Sequence, residues 1–242
     1  MNEKLIRTYI MTILNEMSYD DVKMSKDPLD WVTAAYHEPE AWNVDDPYIA
    51  MALAAKKAGL KPIGSPGSSR IVFEFDGSKV VKLARNNRGI EQNKLEAFAG
   101  KDPFMHKILA GVHDYSDEFA WIVSDKLRPL EDTDAATAEK FIGISWNEVR
   151  EHLGVKASDA FAATVGQLGQ KNKTQLKTVG SRSGDKLSGK AFLSYLDEFT
   201  ARYQDMLPGD LAKLSSWGVT PDGRLVLLDY GITRKKFIEL YR

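Results

Sequence analysis

The feature that most constrains the fold is a pair of strand-like segments joined by a two-residue turn signal. Residues 69–75 (SRIVFEF) are rich in β-branched and aromatic types. Asp76-Gly77 follows, and residues 79–83 return as a second, mostly apolar segment. An Asp-Gly pair between two such segments is typical of a tight hairpin. We therefore predict two antiparallel strands here, around which the rest of the fold is built.

Helical and strand-like patterns flank this hairpin in a definite order. Helices are predicted before it over 4–17, 28–36 and 47–58, and after it over 88–98. Two more strands are predicted over 108–113 and 120–124. Further helices are predicted over 134–142, 145–152, 157–165 and 191–206, and a second hairpin joins 216–220 to 224–229. This order predicts an α+β fold built on an antiparallel sheet.

Composition excludes several classes of function. The 242 residues include 33 Lys and Arg, 34 Asp and Glu, and no Cys. The balanced charge gives no overall basic field for wrapping nucleic acid, so we expect no nucleic-acid partner. The lack of cysteine excludes disulfides, thiolate nucleophiles and Cys-ligated metals. No run approaches the roughly 20 apolar residues of a membrane span, and residues 1–17 do not resemble a signal peptide, so a reducing, cytoplasmic location is expected.

The first candidate for chemistry is a small-residue loop with a lysine beyond it. The loop contains Gly64, Ser65, Gly67, Ser68 and Ser69, and small residues let backbone N–H groups approach phosphate oxygens. A plain turn is the alternative for the loop. Lys82 lies inside an apolar strand and could bind phosphate or be a solvated charge on an edge strand. A carboxylate from the next helix could hold it, with Glu96 favoured over Glu91.

The second candidate is Asp229-Tyr230-Gly231 at the end of the last apolar strand. A carboxylate there can project from the strand end and bind Mg²⁺. A strand-terminating turn is the alternative. The four histidines have no metal-ligand spacing, which argues against a zinc hydrolase.

Taken in order, these motifs resemble the protein-kinase-like fold over about residues 60–231. The resemblance implies two lobes: a small antiparallel-sheet lobe over 61–127, with its hinge, and a reduced helical lobe over 128–242, preceded by a helical extension over 1–60. It implies that ATP is the cofactor, with Mg²⁺ or Mn²⁺, and that Lys82 pairs both with its phosphates and with Glu96. The implied hinge that receives adenine is Ser124, Asp125, Lys126 and Leu127.

The same resemblance implies catalytic and metal-binding residues. Asp210 precedes Asp229 by nineteen residues and matches the aspartate that accepts the proton of the attacking hydroxyl. Asp229 matches the metal ligand, and Ser215 or Ser216 stands where the family has a metal-binding Asn. Pro208-Gly209 replaces the usual His-Arg, and eleven residues follow Gly231, so we expect no full activation segment.

The resemblance extends to uncharacterised kinase-like proteins of tailed bacteriophages. The segment 208–219, with Gly-Asp-Leu and then Ser-Ser-Trp-Gly, has a similar form in them. A Ser/Thr protein kinase acting on a host or phage protein in the bacterial cytoplasm is therefore expected. The alternatives are a pseudokinase or nucleotide-binding virion component, AMP transfer, and phosphorylation of a small molecule.

Two further segments have open interpretations. Residues 170–190 carry six Lys or Arg and one Asp, which predicts a basic loop that is either simply solvated or holds an acidic partner. The helix predicted over 4–17 either caps the small lobe or is a detachable tag. Its Leu14-Asn15-Glu16 resembles the Leu-x-Glu site cut by phage prohead proteases, and a chain cut there would be packaged in a virion.

Overall fold

The computed structural model describes residues 27–155, 187, 189–203 and 208–230. The predictions for 4–17, 157–165 and 170–186, together with Gly231, lie outside these residues. The chain divides into two compact units. The first contains the described residues up to Asn93 together with Asp114–Ser124, and the second contains Lys94–His113 and the described residues from Asp125 onward.

The described residues contain the predicted mixture of helices and strands, so the α+β class is confirmed. The helices are α1 Pro28–His37, α2 Pro47–Lys57, α3 Asn87–Gly100, α4 Ala135–Ile142, α5 Trp146–His152, α6 Gly189–Arg202 and α7 Pro208–Leu211. The strands are β1 Lys61–Pro62, β2 Arg70–Glu74, β3 Lys79–Ala84, β4 Val112–Tyr115, β5 Trp121–Asp125, β6 Trp217–Val219 and β7 Leu225–Leu227. No helix among these residues is long and apolar enough to cross a membrane.

Helices α1 and α2 begin where the sequence has an aspartate followed by proline. The Asp27 carboxylate accepts a hydrogen bond from the Leu29 amide at 2.9 Å, and Asp46 accepts one from the Tyr48 amide at 2.8 Å. Proline suits the first helical position because its missing N–H would have no partner there. Gly59, with φ of 86°, follows the end of α2 in the left-handed region. Local chemistry therefore accounts for both helices.

Five strands form an antiparallel sheet in the order β1-β2-β3-β5-β4. One face of this sheet packs with α1 and α2 to form the core of the first unit. The sheet contributes Phe73, Val81, Leu83, Trp121 and Val123 to that core. Because side chains alternate along a strand, the residues between these positions face the opposite side of the sheet.

The predicted hairpin is confirmed, but its turn is longer than two residues. Phe75–Ser78 connects β2 to β3, with the Phe75 amide donating to the Lys79 carbonyl at 3.1 Å. The Asp76 carboxylate accepts a hydrogen bond from the Ser78 amide at 2.7 Å. The connection therefore contains four residues and includes an Asx turn, whereas the Asp-Gly pair alone indicates a connection of two residues.

The core of the second unit forms around the β6–β7 hairpin and helices α4, α5 and α6. Trp217 and Tyr230 are buried there. The Trp217 indole donates to the Leu211 carbonyl at 2.8 Å, and the Trp146 indole donates to the Ala212 carbonyl at 3.0 Å. These two bonds attach the segment around α7 to the core.

The strand predicted over 108–113 is wrong at its start. A 3₁₀ turn covers Met105–Lys107, and β4 begins only at Val112. Ile108 and Leu109 are instead buried in the second core, where Leu109 forms a parallel bridge with Leu227. Helix α6 also begins at Gly189, so the last two residues of the predicted basic loop are helical.

Candidate functional site

The small-residue loop Gly64–Ser69 connects β1 to β2 and is attached to the start of α3. The Asn86 side-chain amide donates to the Ser68 carbonyl at 3.0 Å, and the Arg85 guanidinium donates to the Gly67 carbonyl. The Arg85 amide donates to the Ser69 carbonyl at 2.8 Å. The acceptors in these bonds are carbonyl oxygens of the loop. The bonds hold the exposed loop residues against the segment that directly precedes α3; these residues are Gly64, Ser65, Gly67 and Ser68.

The loop also lies very close to the first turn of α3. A Cβ atom added at Gly89 would lie 2.2 Å from the Ser69 carbonyl oxygen and 2.8 Å from Ala84 Cα. Only glycine fits at that distance. The Asn86 side chain also caps α3, accepting from the amides of Arg88 at 3.1 Å and Gly89 at 3.2 Å. The loop and the first turn of α3 therefore form one tightly packed piece.

Lys82 is buried on an interior strand. It is 8% exposed, and β3 lies between β2 and β5. The alternative of a solvated charge on an edge strand is therefore wrong. The lysine faces away from the core shared with α1 and α2, since its neighbours Val81 and Leu83 belong to that core.

A buried polar layer lies on the same side of the sheet as Lys82. The Asn93 side-chain amide donates to the Phe119 carbonyl at 2.9 Å and to the Lys82 carbonyl at 3.4 Å. The buried Arg70 guanidinium donates to the Asn93 side-chain oxygen at 3.4 Å. Two cations within a protein interior are costly unless anions or acceptors compensate them.

Burial separates the two glutamates that the sequence offers as partners of Lys82. Glu96 is 2% exposed and lies three residues after Asn93 on α3, on the same helix face. Glu91 is only half-buried. A buried carboxylate needs a compensating charge or donors, which favours Glu96. The pairing of Lys82 with Glu96 stays a prediction.

Ser124 and Asp125 end β5 in different environments. The Ser124 side chain is buried, and its hydroxyl has no hydrogen-bond partner among the described residues. The Asp125 carboxylate accepts from the Gly111 amide at 2.7 Å and contacts the His113 ring at 2.7 Å. The Asp125 side chain therefore holds the segment from Gly111 to His113 against the end of β5. Lys126 and Leu127 follow, half-buried, in the second unit.

In the second unit, backbone hydrogen bonds connect Asp210, Ser216 and Asp229. The Lys213 amide donates to the Asp210 carbonyl at 3.4 Å, and the Ser216 amide donates to the Lys213 carbonyl at 3.1 Å. The Ser216 carbonyl then accepts from the amides of Leu228 at 2.7 Å and Asp229 at 3.3 Å. The structure thus brings these three predicted residues into one short, continuous network.

The side chains around that network divide into buried and exposed. Tyr230 is 1% exposed and its ring meets Phe199 edge-on at 5.5 Å, which anchors the end of the last strand. Asp229, the residue before it, is exposed. The anchored tyrosine and the exposed carboxylate are what a strand-end metal ligand requires.

Lys213 was missed by reasoning from the sequence. Its ammonium lies 2.5 Å from an Asp210 carboxylate oxygen. The three-residue spacing could have indicated it, because residues i and i+3 face each other within a helical turn. Lys213 gives the network a positive charge beside its aspartate.

The oxygen donors of the second unit fit Mg²⁺ in type. Mg²⁺ prefers carboxylate oxygens, often one or two supplemented by substrate phosphates. Asp229 offers an exposed carboxylate, whereas Ser216 is buried and its carbonyl already accepts two amides. Within the described ranges, no group of three or more His, Cys, Asp or Glu residues could hold a metal by itself. Phosphate oxygens would have to complete such a site.

Comparison with known proteins adds no assignment. No protein-family model matches the chain, and searches of curated proteins and of solved structures found no similar protein. The site residues alone therefore support a functional proposal.

Proposed function

We propose that the protein is an ATP- and Mg²⁺-dependent phosphotransferase that acts on a Ser or Thr hydroxyl of a protein. The observation that carries the proposal is the burial of Lys82 on an interior strand, beside Arg70 and Asn93. Burial of an ammonium is costly, so a lysine in such a place is a candidate to bind an anionic partner in addition to its contacts within the protein. The order of loop, strand lysine, helix glutamate and strand-end aspartate supports ATP as that partner.

The proposed roles follow from the chemistry of each residue. Lys82 would pair with phosphate oxygens, and Glu96 would hold the lysine in place. Asp229, with Ser216 and the phosphates, would hold Mg²⁺, which neutralises the charge of the transferring phosphoryl group. Asp210 would accept the proton of the attacking hydroxyl.

The test is transfer of labelled phosphate from ATP. The protein is incubated with γ-labelled ATP, Mg²⁺ or Mn²⁺ and a bacterial lysate, and labelled proteins are counted. We expect Asp229→Asn to reduce transfer at least about 100-fold, the size of effect seen when a key electrostatic group is removed. Asp222→Asn is the matched control, because Asp222 is an exposed turn residue of the same unit. Equal transfer by wild type and Asp229→Asn would refute the assignment.

A second candidate is a nucleotide-binding module without efficient turnover. The Asp210–Lys213 contact favours it, because an Asp210 carboxylate oxygen already accepts a hydrogen bond from the Lys213 ammonium at 2.5 Å. This candidate predicts a thermal shift with ATP but no labelled product. Saturation at 100 times Kd corresponds to about 2.7 kcal/mol of stabilisation.

AMP transfer and small-molecule phosphorylation are variants of the first proposal. The mass added to an acceptor distinguishes a phosphoryl group from an AMP group. A packaged virion component would be found by intact-mass analysis of virion proteins. The same analysis tests cleavage after Glu16, because a chain that still starts at residue 1 or 2 excludes it.

A further inference from the structure

Arg150 differs from the other described arginines of the second unit in both burial and pairing. The side chains of those arginines are between 40% and 65% exposed, and each forms an ion pair with a carboxylate; they are Arg128, Arg202 and Arg224. Arg150 lies on α5 and is 8% exposed. Its guanidinium forms no ion pair and no hydrogen bond with the described residues. Arginine is rarely buried to this extent without a partner, so its unpaired state needs an explanation.

The local sequence supplies no partner for Arg150. In a helix, side chains three and four residues apart are neighbours. At those distances from Arg150 the chain has no carboxylate, but instead Trp146, Asn147, Leu153 and Gly154. Arg202 shows the contrast, because Glu198 lies four residues before it and accepts a hydrogen bond from its guanidinium. A partner for Arg150 must therefore come from outside its own helix.

Packing restricts the stem of Arg150, while its head group stays accessible. Trp146 and Val149 are the other buried residues of α5, and both belong to the core of the second unit. Trp146 in turn meets the Trp217 ring edge-on at 5.9 Å. In the described part of the chain, Ser124 Oγ is the only fully buried side-chain nitrogen or oxygen without a partner, so the unpaired nitrogens of Arg150 reach solvent. The buried part of Arg150 is therefore mainly its aliphatic stem.

An arginine held in this way is prepared to bind an anion. Ordering a long side chain opposes binding, and here packing has already restricted the stem. A guanidinium is planar, always charged, and presents five N–H donors in a fixed arrangement. Two of these donors match two oxygens of a carboxylate or of a phosphate. A neutral acceptor would satisfy the donors without compensating the charge, so the ligand that fits best is an oxyanion.

We propose that Arg150 is an anion-binding site of the second unit, and that its guanidinium binds a phosphate or carboxylate group through two parallel hydrogen bonds. The site is distinct from the proposed role of Lys82, which belongs to the first unit. The chemistry that it recognises is a pair of negatively charged oxygens, carried by a free phosphate ion or by a phosphorylated or acidic side chain of another protein. The inference does not depend on phosphotransferase activity.

Arg150→Met removes the charge and keeps the packing. Methionine is unbranched and flexible, so it retains the core contacts of the arginine stem. Since no internal partner is lost, the free variant should melt at a temperature no lower than that of wild type. An oxyanion loses its charge-assisted hydrogen bonds, which corresponds to about a 10- to 150-fold increase in the Kd for inorganic phosphate. Arg150→Lys keeps the charge without the two-pronged geometry and should weaken phosphate binding to an intermediate extent.

Calorimetric titration with inorganic phosphate measures the Kd, with chloride at equal ionic strength as the reference. Arg224→Met is the matched control, because Arg224 belongs to the same unit but already pairs with Asp222 at 2.8 Å. Its Kd for phosphate should equal that of wild type. Lys82→Met removes the other proposed phosphate contact and should leave binding at Arg150 unchanged.

Three peptides identify the source of the ligand. They are acetylated and amidated pentapeptides of alanine with phosphoserine, glutamate or serine at the centre. If the phosphoserine or the glutamate peptide binds more tightly than inorganic phosphate, and the serine peptide does not, the ligand is a side chain of a protein. Equal or weaker binding of the peptides assigns the site to the free ion.

Two results would overturn the proposal. If Arg150→Met binds phosphate as tightly as wild type, or if wild type binds neither phosphate nor the acidic peptides, Arg150 is not an anion site. A melting temperature of Arg150→Met below that of wild type also refutes it, because the guanidinium would then have a stabilising partner within the protein. Phosphate transfer from ATP is measured separately, so either this site or the proposed function can fail while the other stands.

Discussion

Gly89 offers the sharpest test of how the small-residue loop is supported. In an ordinary helix, replacing glycine by alanine stabilises the protein by about 0.5–1 kcal/mol because the unfolded chain loses freedom. At Gly89 the added Cβ would lie 2.2 Å from the Ser69 carbonyl oxygen, 2.8 Å from Ala84 Cα and 3.0 Å from Ala84 Cβ. Two of these three atoms are backbone, so the clash cannot be relieved by rotating a side chain.

The expected effect of Gly89→Ala is therefore a net loss of stability. Overpacking costs about 1–3 kcal/mol, which exceeds the helix gain and leaves a destabilisation of roughly 0.5–2 kcal/mol. Since the displaced atom belongs to Ser69, the Gly64–Ser69 loop should also move, and nucleotide binding should weaken.

Urea-induced unfolding of wild type, Gly89→Ala and Gly77→Ala measures the effect. Gly77 is the control, because a Cβ there meets nothing within 4 Å and its φ is not in the left-handed region. We expect the control to lie within about 0.5 kcal/mol of wild type. If Gly89→Ala is as stable as Gly77→Ala, the loop does not pack on α3 as described.

Two further predictions concern the second unit. Trp217→Ala should lower the free energy of unfolding by about 3–5 kcal/mol, because the ring is fully buried and its indole N–H donates to the Leu211 carbonyl. Denaturant-induced unfolding measures this loss, and a loss below about 1 kcal/mol would contradict the prediction. For Asp102, burial alone would raise its pKa, but hydrogen bonds from the Phe104 amide, Arg202 and Tyr203 outweigh burial and hold the pKa below its usual value. Stability from Asp102 is therefore fully present above the unfolded-state pKa of about 4 and is lost as pH falls through the lower folded-state pKa. Unfolding measured between pH 7 and pH 2 should show a smaller acid-dependent loss in Asp102→Asn than in wild type, and identical pH profiles would refute this account.

Some of the fold could be read from local signals. Helices α1, α2 and α5 were predicted close to where they begin, and each starts at a cap that bonds to an amide within three residues. The two hairpins were visible for the same reason. The predicted strand over 108–113 was wrong because Ile108 and Leu109 are apolar residues of the second core, and periodicity cannot tell a core segment from a strand.

The candidate site was likewise predictable from the sequence only in part. Sequence order indicated Lys82, Asp210 and Asp229, but it could not show that β3 is an interior strand or that Lys82 is buried. It offered Glu96 and Glu91 together, and burial distinguished them. It also missed Lys213, although the spacing from Asp210 was present in the sequence.

The sequence by itself determined the α+β class, the helix starts and the two hairpins, because these depend on interactions between residues a few positions apart. Tertiary structure decided the rest. Asp125 is held by Gly111 and His113, more than ten residues away, and the Ser69 carbonyl excludes a side chain at Gly89. The unpaired hydroxyl of Ser124 emerges only when a sheet face is assembled and covered, since burial is a property of many distant residues acting together.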